Sequence, residues 1–137
     1  MSRSLVLDAE ALSALARAAG RRGEEVRAAL EAARRLRREA IVPAVVLAEL
    51  YRGGGHNHIV DACLSRDTAL LVRDTDRSLA RLVGGVLAAA KRGSQDLADA
   101  HVVACAVEAG GGVVLTGDPD DLTLLALSYP HVTVTKI

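Results

Sequence analysis

Short apolar runs recur along the chain, and each is followed by segments whose apolar residues return at helical spacing. The runs are "SLVLD", "AIV", "TALLVRD", "GGVVLTGD" and "HVTVTKI". Between them lie "AEALSALARAAG", "EEVRAALEAARRLRRE", "PAVVLAELYRG", "HIVDACLSR", "TDRSLARLVGGVLAAAKRG", a helix from about Asp96 to Ala109, and "PDDLTLLALS". Parallel strands need crossovers, and helices supply them, so this alternation predicts an α/β fold with a central parallel sheet covered on both faces. Gly20, Gly53 to Gly55 and Gly93 are the expected helix stops, and Pro43 and Pro119 the expected first-turn residues. The length of 137 residues suits one domain over 1–137.

Three of the quoted runs end in an acid, and Asp8 and Asp118 are the two that carry the site reading. Sites in open parallel sheets lie beyond the carboxyl ends of the strands, so both carboxylates fall on one edge. Each also has a plainer explanation as a helix N-cap, and Asp118 is followed by Pro119 and, three residues on, by Asp121. Asp96 can cap the helix that follows it, with Ser94 as a competitor. Asp99 fits a cap less well, since it falls a turn inside that helix, where the positive helix end offers at best ~1 kcal/mol. Glu49 stands on a helix with almost no other polar residue, where it faces either solvent or a site. One explanation covers four acids at once. Asp8, Glu49, Asp99 and Asp118 converge on one rim, where hard Mg²⁺ or Mn²⁺ takes carboxylate oxygens, water and substrate phosphate.

The order and spacing of these acids resemble the PIN-domain ribonucleases, in particular the VapC-type toxins of bacterial toxin–antitoxin pairs. The likeness is carried by "LVLDAEAL", "VPAVVLAELYRG", "DLADAHVVACA" and "VVLTGDPDDL", and it covers nearly the whole chain in order. It implies a PIN-like three-layer α/β/α domain and a Mg²⁺- or Mn²⁺-dependent endoribonuclease. It further implies that Asp8 and Asp99 bind the metal and that Glu49 and Asp118 complete the acidic quartet. Thr116 would support Asp8 or a bound water, with Asp121 as an auxiliary acid. Asp96 has no counterpart in this set and reads as a cap. An RNA substrate, a cognate antitoxin and a homodimer are implied as partners. The chain departs from the pattern at Ala9 and Glu10, where small hydroxyl residues are usual.

Composition narrows the alternatives. Phe and Trp are absent and the tyrosines number 2, so no aromatic platform can stack bases, and RNA must be held through phosphates, metal or hydrogen bonds. The 17 basic and 17 acidic residues cancel, which leaves a local basic face as the electrostatic question. Arg21, Arg22, Arg34, Arg35, Arg37 and Arg38 offer one; the plainer reading is a solvated helix face with pairs such as Glu31–Arg35. Arg52, one turn from Glu49, is a further phosphate candidate or a partner for that acid. The four histidines lack zinc-ligand spacing and read as structural or surface residues. Cys63 and Cys105 read as buried free thiols of a cytoplasmic protein. Asp8 arrives too early for a signal-peptide apolar region, and no run is long enough to span a membrane.

Two rival functions remain. An aspartyl-nucleophile phosphohydrolase is suggested by the acid two residues after Asp8, but Glu10 and Leu12 fit that chemistry poorly. A catalytically inactive PIN-like RNA- or protein-binding module is the non-enzymatic alternative, against which four intact acids argue.

Overall fold

In a computed structural model that describes residues 3–137, the chain forms a five-stranded parallel sheet flanked by helices on both faces. The first two residues of the N-terminal stretch read above lie outside the described residues. The strands are β1 (Ser4–Leu7), β2 (Ala40–Pro43), β3 (Leu70–Arg73), β4 (Gly112–Thr116) and β5 (Val132–Lys136). The helices are α1 (Ala9–Arg17), α2 (Gly20–Arg35), α3 (Ala44–Leu50), α4 (Gly54–Arg66), α5 (Arg77–Ala90), α6 (Leu97–Glu108) and α7 (Pro119–Ala126). A short 3₁₀ turn, Ser94–Asp96, leads into α6. This is the α/β/α architecture expected from the alternating pattern.

Strand order is β3-β2-β1-β4-β5. The chain therefore winds outward from β1 to β3, then returns to β4 on the other side of β1. Right-handed crossovers put the first helices on one face and the later ones on the other. In agreement, α1 packs on α2, α3 and α4, while α5, α6 and α7 pack on one another. The winding direction reverses between β1 and β4, and such a switch point opens a crevice at the carboxyl ends of its two strands. Leu7 lies opposite Leu115 there, and the Asp8 amide donates the next ladder bond to the Leu115 carbonyl at 3.2 Å.

The core is built from Leu, Val and Ala. Val6, Leu7, Leu12, Leu15, Val42 and Val114 are wholly buried, each such side chain contributing roughly 1.5–3 kcal/mol of burial. Helix α6 is buried on nearly every side from Ala100 to Ala106, which is why its apolar residues crowd the whole circumference rather than one stripe. Cys63 and Cys105 are free and buried in this core, where loss of solvation pushes their thiols up to about 11 and about 12.

Several helix ends differ from expectation. Helix α1 stops at Ala18 and α5 at Lys91, both in the left-handed conformation with φ of 51° and 55°. Gly20 begins α2 instead, Gly93 precedes the 3₁₀ turn, and Gly53 precedes α4, which starts four residues earlier than "HIVDACLSR" suggests. A non-glycine residue in that conformation costs roughly 1–2 kcal/mol, so packing on both sides sets these ends rather than local preference. Pro43 closes β2 and caps α3 from outside, since its φ of −66° and ψ of 141° are extended. No helix among the described residues is long and apolar enough to cross a membrane.

Candidate metal centre at the sheet edge

Asp8 sits at the switch point because β1 delivers it there. Its carboxylate caps α1, accepting from the Ala11 amide at 2.9 Å, yet the residue is only 6 % exposed. Burial pushes its carboxyl above the usual 3.8, the neighbouring Thr116 hydroxyl and the Ala11 and Glu10 amides oppose the shift, and the charge of Asp118 adds to it. Capping and a place in the crevice are thus the same position, and the two explanations offered by the sequence do not compete.

Asp99 stands in the first turn of α6, which runs antiparallel to the strands and so begins at this edge. It is half-buried, and its carboxyl is pushed up to about 6, first by lost solvation and then by the charges of Asp8, Glu49, Asp121 and Asp96. Glu49, near the end of α3, is raised by partial burial and by Asp8, with Arg52 opposing. Arg52 makes no ion pair with Glu49. Its guanidinium donates to the Ala48 and Tyr51 carbonyls, each at 2.8 Å, and so closes the end of α3.

Asp118 is exposed at the rim. Its carboxylate accepts weakly from the Asp120 amide at 3.4 Å, and its own amide donates to the Thr116 hydroxyl at 3.0 Å. That hydroxyl in turn donates to the Asp118 carbonyl at 3.1 Å, so Thr116 braces the turn carrying Asp118. The charge of Asp8 reaches Asp99 and Glu49, and that of Asp118 reaches Asp8.

Sequence reasoning missed a fifth acid on this edge. Glu10 is raised by partial burial and by the charges of Asp8 and Asp118, with Arg22 opposing at 3.8 Å. Its carboxylate lies over Gly117, in the space a Cβ there would fill. The absent side chain at 117 is the signal that could have found it, since only bare backbone admits a carboxylate that close.

Asp96 corrects an expectation. It makes no side-chain cap to α6; its carboxylate accepts instead from Arg92 Nε at 2.6 Å, and the residue is 4 % exposed. A buried carboxylate gains more from a charged donor than from an amide. Arg92 also reaches Asp121 at 3.0 Å. Asp96, Asp99 and Asp121 each offer a ligand oxygen within 4.8 Å of the others. This triad shares only Asp99 with the pair expected from the sequence, and the difference is one of compensation. Asp96 and Asp121 already have a cation, whereas Asp8, Glu49, Asp99 and Asp118 have no ion pair among the described residues. An oxygen-only donor set in which neighbouring acids add to the upward shifts of Asp8, Glu49 and Asp99 fits a hard divalent cation.

His101 is buried, with Nδ1 2.7 Å from the Leu97 carbonyl. A carbonyl only accepts, so Nδ1 carries the proton and the ring is a structural residue of α6, as its spacing from Asp99 suggests.

An acid-lined crevice at the switch point of a three-layer α/β/α sheet defines the class of protein. A family model described as the PIN domain matches residues 5–126, and the chain belongs to that family. PIN domains are generally nucleases that bind RNA and use divalent metals. No curated protein matches the chain.

Proposed function

We propose that this protein is a metal-dependent endoribonuclease, with Asp8 and Asp99 holding the divalent ion and Glu49 and Asp118 completing the site. The observation that carries the reading is the crowding of acids: burial and then the charges of Asp8 and Glu49 raise Asp99, burial and Asp8 raise Glu49, and none of the four makes an ion pair among the described residues. Such a group is stable when an external cation neutralises it. Bound there, Mg²⁺ or Mn²⁺ would supply Lewis acidity towards the scissile phosphate and acidify an attacking water. Asp8 is held for this by the Ala11 amide, and Thr116 holds the turn of Asp118. Glu49 and Asp118, at the exposed rim, orient the water through their free carboxylate oxygens.

We also infer a biological role as the toxin of a toxin–antitoxin pair, acting in the cytoplasm as a homodimer and silenced by a cognate antitoxin. Support comes from the ordered motif set and the PIN family. The test is cleavage of total RNA with Mg²⁺ or Mn²⁺ beside an EDTA control, paired with induced expression in a bacterial host. Cleavage and growth arrest that vanish in Asp99→Asn support both parts. Cleavage that survives EDTA removes the metal reading, and RNA binding without cleavage leaves the inactive binding module.

A further inference from the structure

Arg92 is a cation built into this edge between two carboxylates, Asp96 and Asp121. Its position follows from the end of α5: Lys91 turns left-handed, and the Arg92 amide returns to the Leu87 carbonyl at 2.9 Å. That reversal directs the side chain back over the start of α6. The guanidinium then spends two different nitrogens on two different carboxylates, Nε on Asp96 at 2.6 Å and a terminal nitrogen on Asp121 at 3.0 Å. Three elements thus fix one positive charge: the end of α5, the 3₁₀ turn and the first turn of α7.

The acids it takes are two of the three whose oxygens lie within 4.8 Å of one another. The third, Asp99, belongs to both groups, since its oxygen lies within 4.8 Å of those of Asp96 and Asp121 and it also feels the charges of Asp8 and Glu49. A carboxylate between two clusters is the arrangement by which paired metal ions are bridged, and paired-ion nucleases hold their metals about 3.5–4 Å apart. Here the second half of such an arrangement is filled by the chain's own guanidinium. Arg92 stays charged at every relevant pH, and its planar fork suits carboxylates better than an ammonium does.

Given the reading of Asp8 and Asp99 as holders of a divalent ion, we propose that Arg92 is an internal counter-cation that restricts the centre to a single metal. It withdraws Asp96 and Asp121 from the ligand set and excludes a second ion from the far side of Asp99. Arg92 is a positioning residue, and the auxiliary part of Asp121 is to hold it. An ordinary structural ion pair would leave the number of bound ions untouched, so ion stoichiometry separates the two roles.

The test is a Mn²⁺ titration of the full chain without RNA, followed by the EPR signal of free Mn²⁺. Wild type binds one ion. Arg92→Gln binds two, and Arg92→Lys, which keeps the charge, returns to one. Asp121→Asn leaves Arg92 on Asp96 and retains one ion at near wild-type affinity, which keeps the test decisive if Arg92→Gln does not fold. Asp99→Asn loses more than the ~10–100-fold that follows removal of a group behind a ligand. A single ion in folded Arg92→Gln overturns the proposal while leaving the metal reading intact. So does a loss in Asp121→Asn as large as that in Asp99→Asn. A wild type that binds no Mn²⁺ overturns the metal reading and this inference with it.

Discussion

Asp99 carries a carboxyl pushed from the usual 3.8 up to about 6, and the sign of that shift has consequences for stability. The folded protein binds this proton more tightly than the unfolded chain, so protonation favours folding. Metal-free protein is therefore most favoured, in respect of this group, below about pH 4, and loses stability as pH rises through about 6. Asp99→Asn cannot lose a proton, so its melting temperature should exceed wild type at neutral pH in EDTA and show a flatter slope between those limits. A variant that melts lower than wild type at pH 7.5 in EDTA would show that Asp99 stabilises the fold through contacts rather than straining it. Glu10 makes a parallel case. Its ion pair with Arg22 is long and exposed, 3.8 Å apart, and such pairs are worth at most ~1 kcal/mol. Against that stand the charges of Asp8 and Asp118, which raise it. Glu10→Gln should leave the metal-free melting temperature level or slightly higher at pH 7.5. A clear drop would mean that the bridge to Arg22 outweighs the repulsion.

At the scale of elements, helix α2 separates two sets of arginines that look continuous in the sequence. Arg22 lies near its start and reaches Glu10 on the site's edge. Arg34 and Arg35 lie at its other end, roughly 20 Å away along an axis rising ~1.5 Å per residue, next to the start of β2. Arg34 pairs with Glu31 at 2.8 Å, an i,i+3 contact rather than the expected i,i+4 pair with Arg35. The helix ends at Arg35, and Arg37 turns left-handed with φ of 55°, so the four arginines from 34 to 38 do not share one helical face. Reversing charge at Arg34, Arg35, Arg37 and Arg38 should leave RNA affinity and its salt slope unchanged. Arg22→Ala should lower the magnitude of that slope by about 1, the signature of one lost phosphate contact. A flattened slope in the quadruple variant would instead put RNA across the far end of the molecule. Strands β1 and β4 and the acids after them were legible because strand composition and a terminal acid are local signals. Asp96 was not, because its partner comes from the preceding helix and a second ion pair from α7, and no local pattern encodes that meeting. Helix ends were misread for a related reason: glycines advertise stops, but tertiary packing holds Ala18 and Lys91 left-handed instead.

At the scale of the molecule, the sheet order forces charges together that the unfolded chain keeps apart. Asp8, Glu49, Asp99 and Asp118 come within reach of one another's charge because the winding reverses between β1 and β4, α6 begins at the carboxyl edge, and α3 is short enough to keep Glu49 near it. The hydrophobic core beneath this edge is aliphatic, so it supplies rigidity but no charge to offset the acids. Folding therefore proceeds against repulsion that a divalent cation would relieve, so the proposed metal binding should appear as stability. A ligand that binds only the folded state at 100 times its dissociation constant contributes ~2.7 kcal/mol. For a chain of 137 residues that corresponds to a rise in melting temperature on the order of 10 °C. The rise should disappear with EDTA and be largely absent in Asp99→Asn and Asp8→Asn, while Asp121→Asn retains it. It should also shrink as pH falls below about 6, because the proton on Asp99 competes with the ion for the same oxygens. Differential scanning calorimetry with and without Mn²⁺ at pH 5.0 and 7.5 reads all of these at once. Equal shifts in wild type and Asp99→Asn would mean that the ion sits elsewhere on the molecule.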